Sequence, residues 1–379
     1  MKKILGLIIF SALLGVACDQ RVETPTDFPP IITTPEEDFI RGADLSYVNE
    51  MEDCGAIYLN SEGSTEDSYA IFKNAGTDIV RLRLWHEPSW TDYSNYEDVK
   101  KSIERAKSAG MKVLLDFHYS DDWADPAKQE VPAAWLPVVN DMMALGDSVY
   151  NYTHQVLSQL DDLDLLPEYV QVGNETNAEI LQDPNGSYNS INWNRNAFLL
   201  NKGLSAVRAI SSATGKEIAT MLHVAQPENA LWWFSEAKEN GLTNFDWIGI
   251  SYYPLWSNVA LNDLPAAIQT LTTTYNKKLM VVETAYPHTL DNLDNANNIL
   301  GEEAGVAGYA ITEQGQYDYL KALEEKIETG GGAGLIYWEP AWVSTACSTR
   351  WGQGSHWDNA TLFDENKQAL KGMEYYSGE

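Results

Sequence analysis

Basic side chains are scarce in this chain: 25 Lys and Arg stand against 55 Asp and Glu, for a net charge of -30. Such a balance cannot neutralise a phosphate backbone, which excludes nucleic acid as a partner and disfavours tight binding to other polyanions. An uninterrupted apolar span is lacking too, because the run Ile4–Leu14 is too short to cross a bilayer. Cysteine is rare, at three residues. No internal repeat is visible beyond an alternation of strand-like and helix-like segments. What the chain does have is apolar and aromatic material. At 379 residues and 44% hydrophobic it can bury a large core, and 13 Trp and 20 Tyr suit a ligand with flat apolar faces edged by hydroxyls.

Two stretches share one build. Glu168-Tyr-Val-Gln-Val-Gly-Asn-Glu175 reads as a short buried strand followed by a carboxyl, and Lys278-Leu-Met-Val-Val-Glu283 ends the same way. A carboxyl at the end of a buried strand is costly unless it has a partner or a job. Strand-like segments are predicted at Phe39–Leu45, Asp78–Leu84, Lys112–His118, Tyr169–Gly173, Glu217–His223, Trp247–Tyr252, Leu279–Glu283 and Gly334–Trp338. Helical periods lie between them, as in Tyr96–Ala109, Met142–Leu160, Trp193–Ser212 and Leu264–Tyr275, with Thr361–Tyr375 expected to close the fold. Gly76 and Gly110 stop two helices just before the next strand. Eight such units predict a single (β/α)8 barrel over residues 38–379, of the α/β class, with extended loops at its C-terminal face. A doubly wound open sheet is the other topology this order allows.

Polar and aromatic residues gather after every strand: Asp44, then Trp85 and His86, Asp116 to Trp123, Asn174-Glu175, His223, Tyr252-Tyr253, Glu283, and Trp338 to Trp342. The loops at the opposite ends are short and plain, the asymmetry expected of an active site on one face of a barrel. Carboxyls at the ends of the fourth and seventh strands face each other across its mouth. A separation of roughly 5–5.5 Å suits retaining glycoside hydrolysis, and ~6.5–9.5 Å suits inversion. Either glutamate alone could instead be an ion-pair partner or a metal ligand. Mutual repulsion of the two carboxylates would raise the pKa of the one that acts as acid. The indoles of Trp85, Trp123, Trp338 and Trp342 offer platforms for pyranose rings.

The stretches Arg41-Gly-Ala-Asp44-Leu-Ser46, Val80-Arg-Leu-Arg-Leu-Trp85, Leu115-Asp-Phe-His-Tyr-Ser-Asp-Asp-Trp-Ala-Asp-Pro126, Val172-Gly-Asn-Glu175, Val281-Val-Glu283-Thr and Ile336-Tyr-Trp-Glu-Pro340 carry a resemblance. Together they resemble glycoside hydrolase family 53, the endo-β-1,4-galactanases of the large retaining (β/α)8 clan. The asparagine–glutamate pair is shared across that clan, whereas the run from His118 to Pro126 is narrow. The resemblance implies Glu175 as acid/base and Glu283 as nucleophile, Arg81 and Tyr252 holding Glu283, and Asn174 bonding the sugar 2-hydroxyl. It also implies that Asp44, His118, Trp123 and Trp338 line the subsites. The substrate implied is β-1,4-galactan or type I arabinogalactan, with no cofactor and a monomeric chain. Other retaining members acting on mannan, xylan or cellulose, and a non-catalytic glycan-binding surface protein, are the competing expectations.

The N-terminus adds a location. Lys2 and Lys3, the apolar run, and Gly15-Val-Ala-Cys18 resemble a bacterial lipoprotein signal over residues 1–17, with Cys18 as the lipidated residue. An ordinary secretory signal cleaved near Ala17 is the alternative. Residues 18–37 hold Pro25, Pro29, Pro30 and Pro35 and read as an extended tether, placing the domain at the cell envelope on the outer-membrane surface. With Cys18 lipidated, Cys54 and Cys347 remain, in the loops after strands one and eight. They form a disulfide if the barrel closes in an oxidising compartment, or else stay as buried thiols. The loop Thr289–Asn298 is rich in oxygen ligands, and Asp291, Asp294 and Asn298 are candidates for calcium, which bacterial members of the family hold nearby. This loop lacks the Gly-rich turn and the His expected there.

Overall fold

A computed structural model describes residues 38–188, 190–350 and 352–378. The signal, the tether and Cys18 lie outside the described residues. Eight parallel strands, β1 (Ile40–Asp44), β2 (Ile79–Leu84), β3 (Lys112–Phe117), β4 (Tyr169–Val172), β5 (Ala219–Ala225), β6 (Trp247–Ser251), β7 (Lys278–Glu283) and β8 (Gly334–Tyr337), form a closed barrel in chain order. Closure comes from β1 pairing with β8, Ile40 opposite Gly334 and Ala43 opposite Tyr337. The open sheet is thereby excluded. Helices α1 (Val48–Asp53), α2 (Ser68–Ala75), α3 (Tyr96–Ser108), α4 (Met142–Asp161), α5 (Trp193–Thr214), α6 (Pro227–Glu239), α7 (Leu264–Tyr275) and α8 (Glu313–Thr329) fill the connections. Among the described residues no helix is long and apolar enough to cross a membrane.

Period-two alternation sorts the strand residues. Val113, Leu115 and Phe117 of β3 join the large cluster between barrel and helices, whereas Leu114 joins a separate cluster with Ile79, Met221, Trp247, Met280, Val282 and Ile336. That second cluster plugs the barrel interior. Gly42 serves it: a Cβ there would sit 2.6 Å from Ile79 and 2.7 Å from Ile336, so a side chain at this position would collide with the plug.

Two local expectations are corrected. Residues 361–375 do not form a closing α-helix. Asp364 accepts the backbone N–H groups of Asn366 and Gln368, and this turn folds Phe363 back to bridge Ala369. Only a 3-10 segment, Lys371–Ser377, follows. The strand predicted from Glu217 begins two residues later and runs on to Ala225.

Cys54 and Cys347 are disulfide-bonded, with Cα atoms 5.6 Å apart. The bond joins the loops that follow β1 and β8, which only barrel closure brings together.

Candidate active site

Two residues further along β1 to β6, the interior changes character. Gly42 gives way to Asp44, Ile79 to Arg81, Leu114 to Asp116, Tyr169 to Gln171, Met221 to His223 and Gly249 to Ser251. All six polar side chains are buried. Arg81 is their hub. Its Nη1 reaches Asp44 Oδ2 and Glu283 Oε1, both at 2.9 Å. Nη2 donates to Asp116 at 2.8 Å and to Asn174 Oδ1 at 2.7 Å, and Nε to Gln171 at 3.2 Å. All five guanidinium N–H groups thus have an acceptor, which is how a buried arginine is tolerated. The surrounding carboxylates hold its pKa above the ordinary arginine value in spite of burial.

Glu283 reaches this network through an irregularity in β7. Ile250 pairs with Val281 but Ser251 pairs with Glu283, so Val282 is an extra residue; it stays in the apolar plug while Glu283 turns to the cleft. Tyr253 Oη donates to Glu283 Oε2 at 3.4 Å. The expectation for Tyr252 is corrected here, since its hydroxyl donates to the carbonyl of Val259 at 3.0 Å instead. Alternation through Gly249 and Ser251 puts residue 253, not 252, on the inner side.

Glu175 follows Gly173, whose φ of 86° and whose closeness to Thr176, 2.7 Å from a built Cβ, both call for glycine. Glu175 itself has φ 41°, a strained value for a non-glycine residue. Its Oε1 accepts from Ser251 Oγ at 2.6 Å. Asn174 Oδ1 accepts from Arg81 and Gln171, and its Nδ2 donates to the carbonyl of Ala124 at 2.8 Å. Glu175, His223 and Glu283 each bring a side-chain ligand atom within 4.8 Å of the others. Burial is the first cause that pushes the Glu175 carboxyl up to about 7, with Asp125 and Asp116 adding to it and Ser251 and Arg81 opposing. The cause expected from the sequence, repulsion between the two glutamates, is thus secondary to desolvation. Burial also raises Glu283 well above the ordinary carboxyl range, with Arg81 opposing and Glu175 adding. His118 and His223 are held below the ordinary imidazole value by burial. His118 sits with Nε2 3.1 Å from Asp116 and Nδ1 accepting from Ala124 N–H.

These groups floor an open cleft of about 910 Å³ whose lining includes Asp44, His118, Trp123, Asn174, Trp338 and Trp342. Trp85 does not line it. Its ring lies behind that of Trp123, 5.3 Å away, and is 2% exposed, so it is packing and not a platform. Trp342 is stacked on Tyr47 at 4.1 Å. Two indoles absent from the sequence expectations line the cleft, Trp357, 4.7 Å from Trp338, and the half-exposed Trp256. Arg83, paired with the buried Glu339 at 3.1 Å, lies over Trp123 at 4.2 Å. Asp116, Gln171, Ser251 and Tyr253 were legible by counting twos along each strand; Trp357, far along the last loop, has no such local signal.

The calcium expectation finds no convergent acidic set in its loop. Asp294 accepts Ala296 N–H and Ser355 N–H, Asn298 Nδ2 donates to Asn292 and to the Asp291 carbonyl, and Asp291 is exposed. Among the described residues, the one group of three or more His, Cys, Asp or Glu placed to share an ion is the glutamate pair with His223.

A closed eight-stranded barrel with two carboxyls at the C-terminal ends of its fourth and seventh strands, on the floor of an aromatic cleft, is the construction of a glycoside hydrolase. Residues 40–376 match the model of glycosyl hydrolase family 53, and the chain belongs to that family. It is 54% identical over 331 residues to the arabinogalactan endo-β-1,4-galactanase of Cellvibrio japonicus, covering 87% of this chain and 88% of that one. It is 33% identical over 381 residues to the endo-β-1,4-galactanase of Bacillus subtilis, covering 90% and 86%. Among solved structures, the family 53 catalytic domain of Ignisphaera aggregans superposes with a TM-score of 0.81 at 32% identity, covering 93% of this chain and 99% of that one.

Proposed function

We infer that the protein hydrolyses β-1,4-galactosidic bonds within galactan and type I arabinogalactan, with retention of anomeric configuration. The observation that carries this reading is the glutamate pair: side-chain oxygens within 4.8 Å, Glu175 from the turn after β4 and Glu283 from the end of β7. That approach is in keeping with the roughly 5–5.5 Å of retaining pairs and shorter than the ~6.5–9.5 Å of inverting pairs, which hold a water between the carboxyls. In this reading Glu283 attacks the anomeric carbon and Glu175 protonates the departing oxygen. Both carboxyls are raised by burial, so a proton is held most readily by the one that no cation pairs directly. The direct ion pair with Arg81 favours the ionised form of Glu283, and the proton therefore falls to Glu175. Once Glu283 is consumed in the glycosyl-enzyme its charge is gone, so Glu175 loses its proton more easily and activates water. Asn174 has one Nδ2 hydrogen left for a sugar hydroxyl, its other donating to Ala124. Trp123, Trp338 and Trp342 serve the ring faces.

The substrate claim follows the relatives, and a panel of linear galactan, mannan, xylan and cellulose tests it. Rapid chain shortening on galactan alone is expected. Equal or greater cleavage of another polymer overturns the substrate, and no cleavage of any would favour a binding protein.

The N-terminal reading is that Cys18 carries lipid and anchors a monomeric enzyme to the outer-membrane surface. Its support is the order Lys2-Lys3, apolar run, small residues, Cys18 and Pro-rich tether. Cys18→Ala is expected to release the protein to the soluble fraction; unacylated wild-type protein in the medium contradicts it.

A further inference from the structure

Beneath the glutamate pair lies a ring of hydrogen bonds that the catalytic roles do not themselves require. Glu175 N–H points at His223 Nδ1, 3.2 Å away; His223 Nε2 is 2.9 Å from Ser251 Oγ; and Ser251 Oγ is 2.6 Å from Glu175 Oε1. His223 and Ser251 are both 0% exposed, on adjacent strands. A backbone N–H can only donate, so Nδ1 accepts and the ring proton sits on Nε2. Nε2–H then donates to Ser251, whose own hydrogen is left for Glu175 Oε1. The competing arrangement would put the proton on Nδ1, donating to Asn174 Oδ1 at 2.9 Å. That oxygen already receives Arg81 and Gln171, and the Glu175 N–H would then face a donor.

We infer that His223 and Ser251 are positioning residues that set the polarity of Glu175: a fixed Nε2–H tautomer makes Ser251 donate to Oε1, so the carboxyl proton resides on Oε2. Among the described residues nothing bonds Oε2. The oxygen that must hand a proton to the leaving group is therefore the one without a partner. This rests on the reading of Glu175 as the general acid. His223 suits the task because it stays neutral at working pH: burial opposes its charge, as do the positive Arg81 and neighbouring His118. The groups whose charge bears on Glu175 are Arg81 from β2, Asp116 from β3, Asp125 from the loop after it, Tyr253 after β6 and Glu283 from β7.

Removing the Ser251 hydroxyl removes a bond to the unprotonated oxygen, so the carboxyl holds its proton to higher pH but no longer on a fixed oxygen. In Ser251→Ala the alkaline limb of kcat/KM on galactan is expected to move up by about 0.5–1 unit. The maximum should fall about tenfold. On a 2,4-dinitrophenyl β-galactobioside, whose leaving group needs no proton, kcat/KM should stay within about twofold. Imidazole 15N shifts of the wild-type protein should report His223 as the neutral Nε2–H tautomer. An Nδ1–H tautomer, or a Ser251→Ala limb that stays in place, overturns the inference. The underlying reading fails separately: Glu175→Ala should spare the dinitrophenyl substrate in kcat/KM, and equal losses on both substrates would remove Glu175 as the acid.

Discussion

The interior of this barrel has two levels that differ in what they can do. Below, Ile79, Leu114, Met221, Trp247, Met280 and Ile336 form an apolar plug. One alternation higher, Asp44, Arg81, Asp116, Gln171, His223 and Ser251 form a hydrogen-bonded polar layer that is as deeply buried. The plug gains from burial directly. The polar layer is tolerated only because each charged group has an ion-pair or hydrogen-bond partner, and taking one partner away would leave another buried and unpaired. Backbone strain sits with the second level as well: Tyr119, Glu175, Gln226 and Glu339 all have positive φ just after a strand. The strands supply rigidity at one end and chemistry at the other.

The largest break in this comparison comes from the glutamates. Glu175→Gln and Glu283→Gln should each lower activity on galactan by orders of magnitude without unfolding the barrel, as rates and circular dichroism will show. Glu175→Gln should also flatten stability against pH. A carboxyl raised from 4.5 to about 7 by folding favours the folded state fully below 4.5, and that contribution is lost as pH rises through about 7. Substitution in the plug should do the reverse. Leu114→Ala, at a fully buried position, should cost roughly 2–5 kcal/mol in denaturant unfolding while kcat of the remaining folded enzyme is kept.

The disulfide tests whether the upper rim is stapled independently of the plug. Cys54→Ser, opening a link across 293 residues of sequence, should lower stability by up to about 5 kcal/mol and leave the family of products unchanged. The smallest effect separates neighbouring tyrosines. Tyr253→Phe loses a long bond to Glu283 and should lower kcat by about tenfold or less, whereas Tyr252→Phe should stay within about twofold. Equal losses for both would return Tyr252 to the site.

Much of this was readable in the chain because strand alternation is strict. The eight strands, their order and the carboxyls at the ends of β4 and β7 follow from apolar runs that end in polar groups. The same period of two, applied one step further, separates Tyr253 from Tyr252, an assignment that family likeness alone misplaced. Trp85 looked like a platform because an indole after a strand is as apolar to a sugar as to Trp123; only packing tells which ring is in front. The extra residue in β7 leaves no mark in Val281-Val-Glu283, since either valine suits a barrel interior. Residues 361–375 carry a helix-like apolar spacing, yet Asp364 captures backbone N–H groups locally and a turn wins. Trp357 reaches Trp338 through a loop whose path no periodicity encodes.

Proton NMR of the anomeric signals during the first minutes of galactan hydrolysis tests the central claim, that two closely spaced carboxyls act by double displacement. The account predicts that β-configured reducing ends appear first and only later equilibrate with the α form. Reducing ends that appear first as the α anomer would contradict it and remove Glu283 as the nucleophile.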